Sequence, residues 1–450
     1  MYTLYFSLAT LMLIMVPAET MVTYGADASS WLSPAYSLLK HLDFVMLENP
    51  DIRDFYRPPV IPIFNALWLG IGGEYGIKLT VFAQIVLLAV TGYMAALIAY
   101  QIMPALALPT LILLLFNPNS LGTALLIQSE AVFTFLFTAS LYFLFRTIDK
   151  LDIPSILLSA LFLGIACLAR PSVQYLIILF PIIIVTLGLF YSNQPAILLK
   201  TLGIGLAGMV LALTVVFPWA LSLAKIEGKL SLSPASIKSI YLGDQLITLR
   251  ASQTGAPINE ISQAMYQEDF NGYSGIRCDA LKYENPEKVK CYQGLLDARW
   301  DAISDARIID YAKTIFISTA NYLFSGAAGT WHNLLDTNRG AMVGTSASSQ
   351  ASAASAIVGG ISGLGLPALF ISFVCIFYSV TIKILGLVGL VAFFRCKQWA
   401  ELAICLGVII YFLAVSLFLG HSRYRVPAET TFVILAAMGL ITIIPQLRKN

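Results

Sequence analysis

The stretch Tyr24-Gly25-Ala26-Asp27, followed by a polar, loop-like tract as far as Arg57-Pro58-Pro59-Val60-Ile61-Pro62, lies between apolar runs. Met1 to Pro17 precedes it, and the short run Ile61–Ile71 and a longer segment, 77–100, follow it. A sizeable loop flanked in this way sits at a membrane surface. That reading decides the fold, because the rest of the chain repeats the pattern. A bilayer core about 30 Å thick takes roughly 20 apolar residues as a helix. On that ruler, spans fall near 1–18, 77–100, 104–125, 129–146, 153–170, 173–191, 200–223, 371–394, 399–420 and 426–445. The expectation is an all-α polytopic membrane protein: a bundle of about ten transmembrane helices with extracytosolic loops and interfacial helices.

Composition agrees. Of 450 residues, 58% are hydrophobic and 12% charged, against roughly 25% charged in soluble domains. The net charge of +2 gives no case for a nucleic-acid partner; the lipid bilayer is the partner that composition implies. His41, His332 and His421 are far apart, and no Cys/His cluster has zinc spacing. Cys167, Cys375, Cys396 and Cys405 lie in or beside apolar segments and read as buried thiols. Cys278 and Cys291 share the long polar stretch, where an extracytosolic setting predicts a disulfide between them. Met1–Pro17 lacks a basic leading region, and Pro17-Ala18-Glu19-Thr20 is a poor cleavage site, so the run is read as a retained first span.

Local signals refine the pattern. Ile61–Ile71 is too short to cross and precedes Gly72-Gly73-Glu74, which predicts a helix along the interface. Asn117-Pro118-Asn119 interrupts the span 104–125 and predicts a bend near one surface. Arg146 with Lys150, Lys200, Arg395 with Lys397, and Arg448 with Lys449 all fall on one side of a ten-span topology, which the positive-inside rule makes cytosolic. Three regions follow: 1–223, an N-terminal transmembrane module whose first outer loop is 19–76; 224–370, an extracytosolic insert; and 371–450, the C-terminal transmembrane helices. The insert has helix-like segments around 257–269 and 295–313. Its Ala/Ser/Gly run from Gly344 to Gly365 reads as a mobile loop or weak interfacial helix. No internal repeat stands out, which weighs against a secondary transporter.

On this topology the outer face collects Asp27, Tyr56, Arg57, Glu130, Arg170 and His421-Ser422-Arg423-Tyr424-Arg425, while span interiors are almost free of ionisable residues. Transporters coupled to protons carry charge at mid-depth; charge massed at one interface suits chemistry on a lipid-linked headgroup. Arg57, Arg423 and Arg425 have the bidentate geometry that binds phosphate, and their plainer role is to anchor helix ends at the interface. Asp27, with small Gly25 and Ala26 before it, is placed to act as a general base on an acceptor hydroxyl. Its plainer role is the N-cap of a helix beginning at Ala28. Glu130 reads as an arginine partner or acceptor ligand, or else as a helix-terminal charge. Arg170-Pro171 is a substrate contact or a helix break, and His332 is a sugar or phosphate contact or a satisfied loop histidine.

Taken in order, Tyr24-Gly-Ala-Asp, Arg57-Pro-Pro-Val-Ile-Pro, Phe116-Asn-Pro, Ser129-Glu130, Leu168-Ala-Arg-Pro and Arg423-Tyr-Arg-Val-Pro-Ala-Glu form a recognisable series. It resembles the GT-C glycosyltransferases of the dolichyl-phosphate-mannose–protein mannosyltransferase type, of which the bacterial aminoarabinose transferase acting on lipid A is a related member. The resemblance covers roughly 20–220 and 370–445. It implies inverting transfer of a sugar from a polyprenyl-phosphate donor on the extracytosolic face. The acceptor expected is an envelope lipid, glycan or protein, and the compact scaffold with a single large insert suits a bacterial inner membrane. The resemblance maps the catalytic aspartate onto Asp27 and implies that Arg57, Glu130 and Arg423 or Arg425 lie near the donor phosphate or acceptor. The expected site is therefore Asp27 as the catalytic residue, Arg57, Arg423 and Arg425 at the donor phosphate, and Tyr24, Tyr56, Glu130, Arg170, His332 and Tyr424 as substrate contacts. One departure stands out: many relatives carry a paired acidic motif where this chain has Asp27-Ala28. No metal is demanded, since arginine supplies the charge; a divalent ion at Asp27 is the alternative. Two other readings compete: a polytopic transporter or flippase, and an O-antigen polymerase or ligase using a polyprenyl-diphosphate donor.

Overall fold

The computed structural model describes residues 1–23, 27–148, 151–191, 194–256, 260–265, 286–335, 365–417 and 419–444. The chain opens with helices α1 (Tyr2–Met15), α2 (Ala18–Thr23) and α3 (Ala28–His41), and continues after the first loop with α4 (Val60–Gly72) and α5 (Gly76–Ile102). Then come α6 (Ala107–Leu115), α7 (Pro118–Ala124), α8 (Glu130–Phe145), α9 (Ile153–Ala169), α10 (Gln174–Tyr191) and α11 (Pro195–Glu227). The insert holds α12 (Ala235–Thr254), α13 (Pro286–Ser304), α14 (Ile308–Phe324) and α15 (Ala328–Leu334). Helices α16 (Leu366–Arg395), α17 (Trp399–Val415) and α18 (Glu429–Ile443), with the 3-10 turn Ser422–Ala428 before α18, complete the bundle.

Every expected span falls on a helix or a helix pair. Among the described residues, five helical segments are long and apolar enough to cross a bilayer: Val60–Ile102, Pro171–Phe190, Ala196–Glu227, Leu366–Arg395 and Ser422–Ile443. Pro104–Leu115 and Pro118–Ala124 make a sixth if taken as one broken span; they meet at 52°, where Asn117-Pro118-Asn119 interrupts the helix. The Asn117 side chain caps α7 by accepting from the backbone N–H groups of Asn119 (2.9 Å) and Ser120 (3.2 Å), the N-cap bond that lets a helix restart after a break. Tyr2–Met15, Glu130–Phe145, Ile153–Ala169 and Trp399–Val415 are apolar but shorter.

The run Ile61–Ile71 lies on α4, which is packed against α3 and α5. The axis breaks sharply at Gly73, whose φ of +50° favours glycine. A Cβ on Gly76 would stand 2.9 Å from Leu69 Cα, whereas residues seven apart in a straight helix are about 10 Å apart.

The central helix is α18. Of its span, 83% is buried, against 28% for α16, whose outward face carries Phe370, Phe373, Phe377 and Leu387 as a lipid-facing helix would. The two helices touch backbone to backbone, because a Cβ on Gly389 would fall 1.8 Å from the Leu435 carbonyl oxygen. Small residues permit such contact in membranes. The contact holds the middle of α18 against α16, and the turn that carries Arg423 and Arg425 leads directly into that helix.

The expected borders at 223 and 370 fall inside helices, since α11 ends at Glu227 and α16 starts at Leu366. The insert has a small core of its own around Leu246, Leu249, Met265 and Ile303. The helix-like tract 295–313 is divided between α13 and α14, with a break at 305–307. Parts of 257–269, most of the Ala/Ser/Gly run, and Tyr24, Lys150, Arg448 and Lys449 lie outside the described residues. Cys291 is disulfide-bonded; Cys278, its expected partner, also lies outside them. Cys167, Cys375 and Cys405 are buried free thiols as expected, whereas Cys396 is exposed at the end of α16.

Candidate functional site

Asp27 occupies the N-cap position of α3, yet its side chain makes no capping bond. It faces two arginines instead: Oδ1 is 2.9 Å from an Arg57 guanidinium nitrogen, and Oδ2 is 2.8 Å from one of Arg423. The cap reading of Asp27 therefore describes its backbone and not its carboxylate. Ser30, one turn into α3, donates its hydroxyl to the Asp27 carbonyl (2.7 Å) and accepts from Arg57 Nε (2.9 Å). The Arg57 guanidinium lies over the Trp31 ring at 4.5 Å, with the Tyr56 ring 5.3 Å away. Cation–π contacts of this kind hold an arginine without using up its N–H donors.

The first loop is itself pinned. Its strand-like hairpin, bridged at Val45 and Arg53, presents Phe44 and Phe55 to the Trp219 ring of α11, at 5.7 and 5.0 Å. The loop thus holds Arg57 and Asp27 against the bundle rather than leaving them in solvent.

Glu130 opens α8 and is fully buried. Arg170, from the end of α9, reaches its Oε1 at 2.8 Å, and Arg423 Nε donates to the same oxygen. Antiparallel pairing of α8 with α9 is what brings residue 170 beside residue 130. Arg170 also stacks on Tyr424 at 5.0 Å. Five separate segments therefore deliver Asp27, Arg57, Glu130, Arg170 and Arg423 to one end of the bundle, with Arg423 bridging both carboxylates. Three guanidinium groups against two carboxylates leave one positive charge in excess. Burial alone would raise the Asp27 carboxyl, but the charges of Arg423 and Arg57 outweigh it and hold the group below its ordinary range.

Two residues singled out in the sequence stand elsewhere. Arg425 is turned away from Asp27 and buried among the C-terminal carbonyls of α14. Its Nη1 donates to Leu323 O (2.8 Å) and Tyr322 O, its Nη2 to Ser325 O (2.9 Å), and its Nε to Glu429 (2.5 Å). His332 is buried on α15 and hydrogen-bonds Ser372 of α16 at 2.9 Å. Tyr56 and Tyr424 line the cluster through their arginine contacts.

The sequence reading passed over three residues. Trp31 supplies the platform under Arg57. Lys383, in the interior of α16, is 7% exposed and 3.8 Å from Glu429, so the span interiors are less free of charge than expected. Asp244, on α12, lies close enough to feel Asp27: desolvation pushes its carboxyl up to about 6, Arg299 pulling it down and the Asp27 charge adding to the rise. No local motif marks Asp244, since it sits in the polar insert like many other charges. Among the described residues, no three His, Cys, Asp or Glu side chains converge as a metal site would require.

No family model matches the chain, and no curated protein matches it. Two solved structures are similar in backbone course, both of ArnT from Cupriavidus metallidurans. For the apo state the identity is 13% and the TM-score 0.39, over 99% of this chain and 79% of that one. For the form bound to undecaprenyl phosphate the identity is 13% and the TM-score 0.38, over 99% and 80%.

Proposed function

We propose that this protein is a GT-C-type membrane glycosyltransferase that moves a sugar from a polyprenyl-phosphate carrier to an acceptor hydroxyl at the extracytosolic face. One observation carries the reading: Asp27 and Glu130 share Arg423, with Arg57 and Arg170 completing a cationic site at one end of an apolar bundle. A site of net positive charge beside lipid matches a headgroup phosphate on an isoprenoid chain, and the ordered motif series supports the same donor.

In this reading the donor phosphate draws Arg57 and Arg423 toward itself. Both are side chains with spare N–H donors, and guanidinium–phosphate pairs are bidentate. Their departure leaves Asp27 less neutralised and therefore more basic. The acceptor hydroxyl attacks the anomeric carbon, its proton passes to Asp27, and the bond from that carbon to the phosphate oxygen breaks. Polyprenyl phosphate leaves with the electron pair, and attack from the opposite face inverts the anomeric centre. The arginines stabilise the charge that develops on the leaving phosphate. Glu130, buried and paired, keeps Arg170 and Arg423 aimed.

The test is release of undecaprenyl phosphate by the purified full-length protein from a panel of undecaprenyl-phosphate sugars, with Asp27→Asn alongside. Release that collapses in the folded variant supports the reading. Release of undecaprenyl diphosphate from a parallel panel of undecaprenyl-diphosphate sugars, with none from the monophosphate panel, would favour the polymerase or ligase alternative. No release from any donor would overturn transfer from a monophosphate carrier.

A further inference from the structure

Arg425 is too thoroughly satisfied to be a substrate ligand, and its four partners raise a different question. They lie on two elements only: the last turn of α14, which belongs to the insert, and Glu429, the first residue of α18. The closing turn of a helix leaves carbonyl groups without intrahelical partners and carries the negative end of the helix dipole. Arg425 fills that end of α14 with a cation whose fork donates to three carbonyls at once. Glu429 is held in turn by Lys383 of α16 at 3.8 Å, and Asn119 of α7 donates to Glu429 (3.4 Å) and to the Ser422 carbonyl (2.8 Å). All of these side chains are buried. The turn Ser422–Ala428 is thus gripped at Ser422 from one side and at Arg425 from the other, and of the two residues between those grips Arg423 brings its charge to the site while Tyr424 lines it against Arg170.

We propose that Arg425 is a positioning residue: by docking the turn onto the C-terminus of α14 it sets the anion-binding geometry of Arg423, so that seating of the insert and readiness of the site are one event. This rests on the reading of Arg423 as a phosphate ligand. The insert has the internal connections to act as a unit, since α12 and α14 are joined by Ser252 with Thr314 and by Gln253 with Asp310 at 3.2 Å. It also touches the bundle at a second point, where the Tyr241 hydroxyl donates to the Val415 carbonyl at the end of α17.

The experiment is a double-mutant cycle on the full chain in detergent, reading the affinity for undecaprenyl phosphate, with the thermal midpoint recorded for each variant. Arg423→Gln is expected to weaken binding at least tenfold. Arg425→Gln is expected to weaken it comparably, and the double variant to be no more than about twofold weaker than the weaker single, because residues acting through one another are not additive. A merely structural role for Arg425 would lower the midpoint but multiply with Arg423→Gln. Multiplicative losses, or unchanged affinity in a folded Arg425→Gln, would overturn the proposal and leave the phosphate reading intact. Unchanged affinity in Arg423→Gln would overturn both. Should Arg425→Gln not fold, Glu429→Gln, of the same size, carries the same cycle: coupling with Arg423→Gln supports the proposal and multiplicative loss overturns it.

Discussion

Arg423 and Arg425 are two residues apart and live in opposite surroundings. Arg423 bridges two carboxylates at a partly open site whose Asp27 side chain is 34% exposed, whereas Arg425 and Glu429 are each 2% exposed and closed off by backbone carbonyls. The first cluster pairs its surplus positive charge with a carboxylate that solvent reaches. The second is nearly saturated: its arginine has four of its five N–H donors on helix-end carbonyls and one carboxylate. Buried ion pairs are weak evidence for net stability, yet breaking one is costly because a charge is left uncompensated. The difference teaches that a guanidinium serves a ligand only where its donors can be exchanged, and serves the fold where they cannot.

The largest expected effect tests the open cluster. Asp27→Asn should lower the rate of undecaprenyl phosphate release by about 10²- to 10⁴-fold, the usual worth of a general base, with a smaller fall in thermal midpoint than a break in the closed cluster gives, because the Asp27 carboxylate is partly exposed. A large drop in midpoint with undiminished transfer would reverse the comparison. On the closed cluster the balance should invert. Glu429→Ala strands Arg425 and Lys383 and should cost about 3–5 kcal/mol of stability, measured by denaturant unfolding in detergent.

The pH profile gives a third way to separate them. The Asp27 carboxyl is held below its ordinary range by Arg423 and Arg57. Its contribution to stability is therefore complete above the carboxyl's unfolded pKa and is lost as pH falls through the lowered folded value. The acid limb of kcat/KM assigned to Asp27 should lie correspondingly low, and Arg57→Gln should move it upward, whereas Lys383→Met should leave it in place. The smallest effect belongs to the rim. Arg53 and Asp43 form an exposed pair, 54% and 44% accessible, and Arg53→Ala should change stability by less than about 1 kcal/mol.

Much of this was legible in the chain. Apolar runs of span length set the helices, because backbone polar groups in lipid must be satisfied within a helix. Asn117-Pro118-Asn119 showed the break, since proline lacks the N–H and asparagine can cap a new start. The candidates Asp27, Arg57, Glu130, Arg170 and Arg423 could be named because they are charges at the ends of apolar segments, where a polar residue has the most reason to be noticed. Trp31 was hidden by its ordinariness as an aromatic in a membrane chain, and Asp244 by the polar company it keeps.

What the sequence determined by itself is the helical membrane architecture and the short roster of charges at its ends, because hydropathy and helix length act locally along the chain. Which charges meet was decided only by tertiary structure. A 3-10 turn advances about 120° per residue, so two positions along it point to different sides, and Arg423 and Arg425 part company for that reason alone. Where each side leads depended on the packing of α18 on α16 through Gly389, on the pairing of α8 with α9, and on the docking of α14. Those contacts join residues from 40 to 396 positions apart, as Glu130 with Arg170 and Asp27 with Arg423 show.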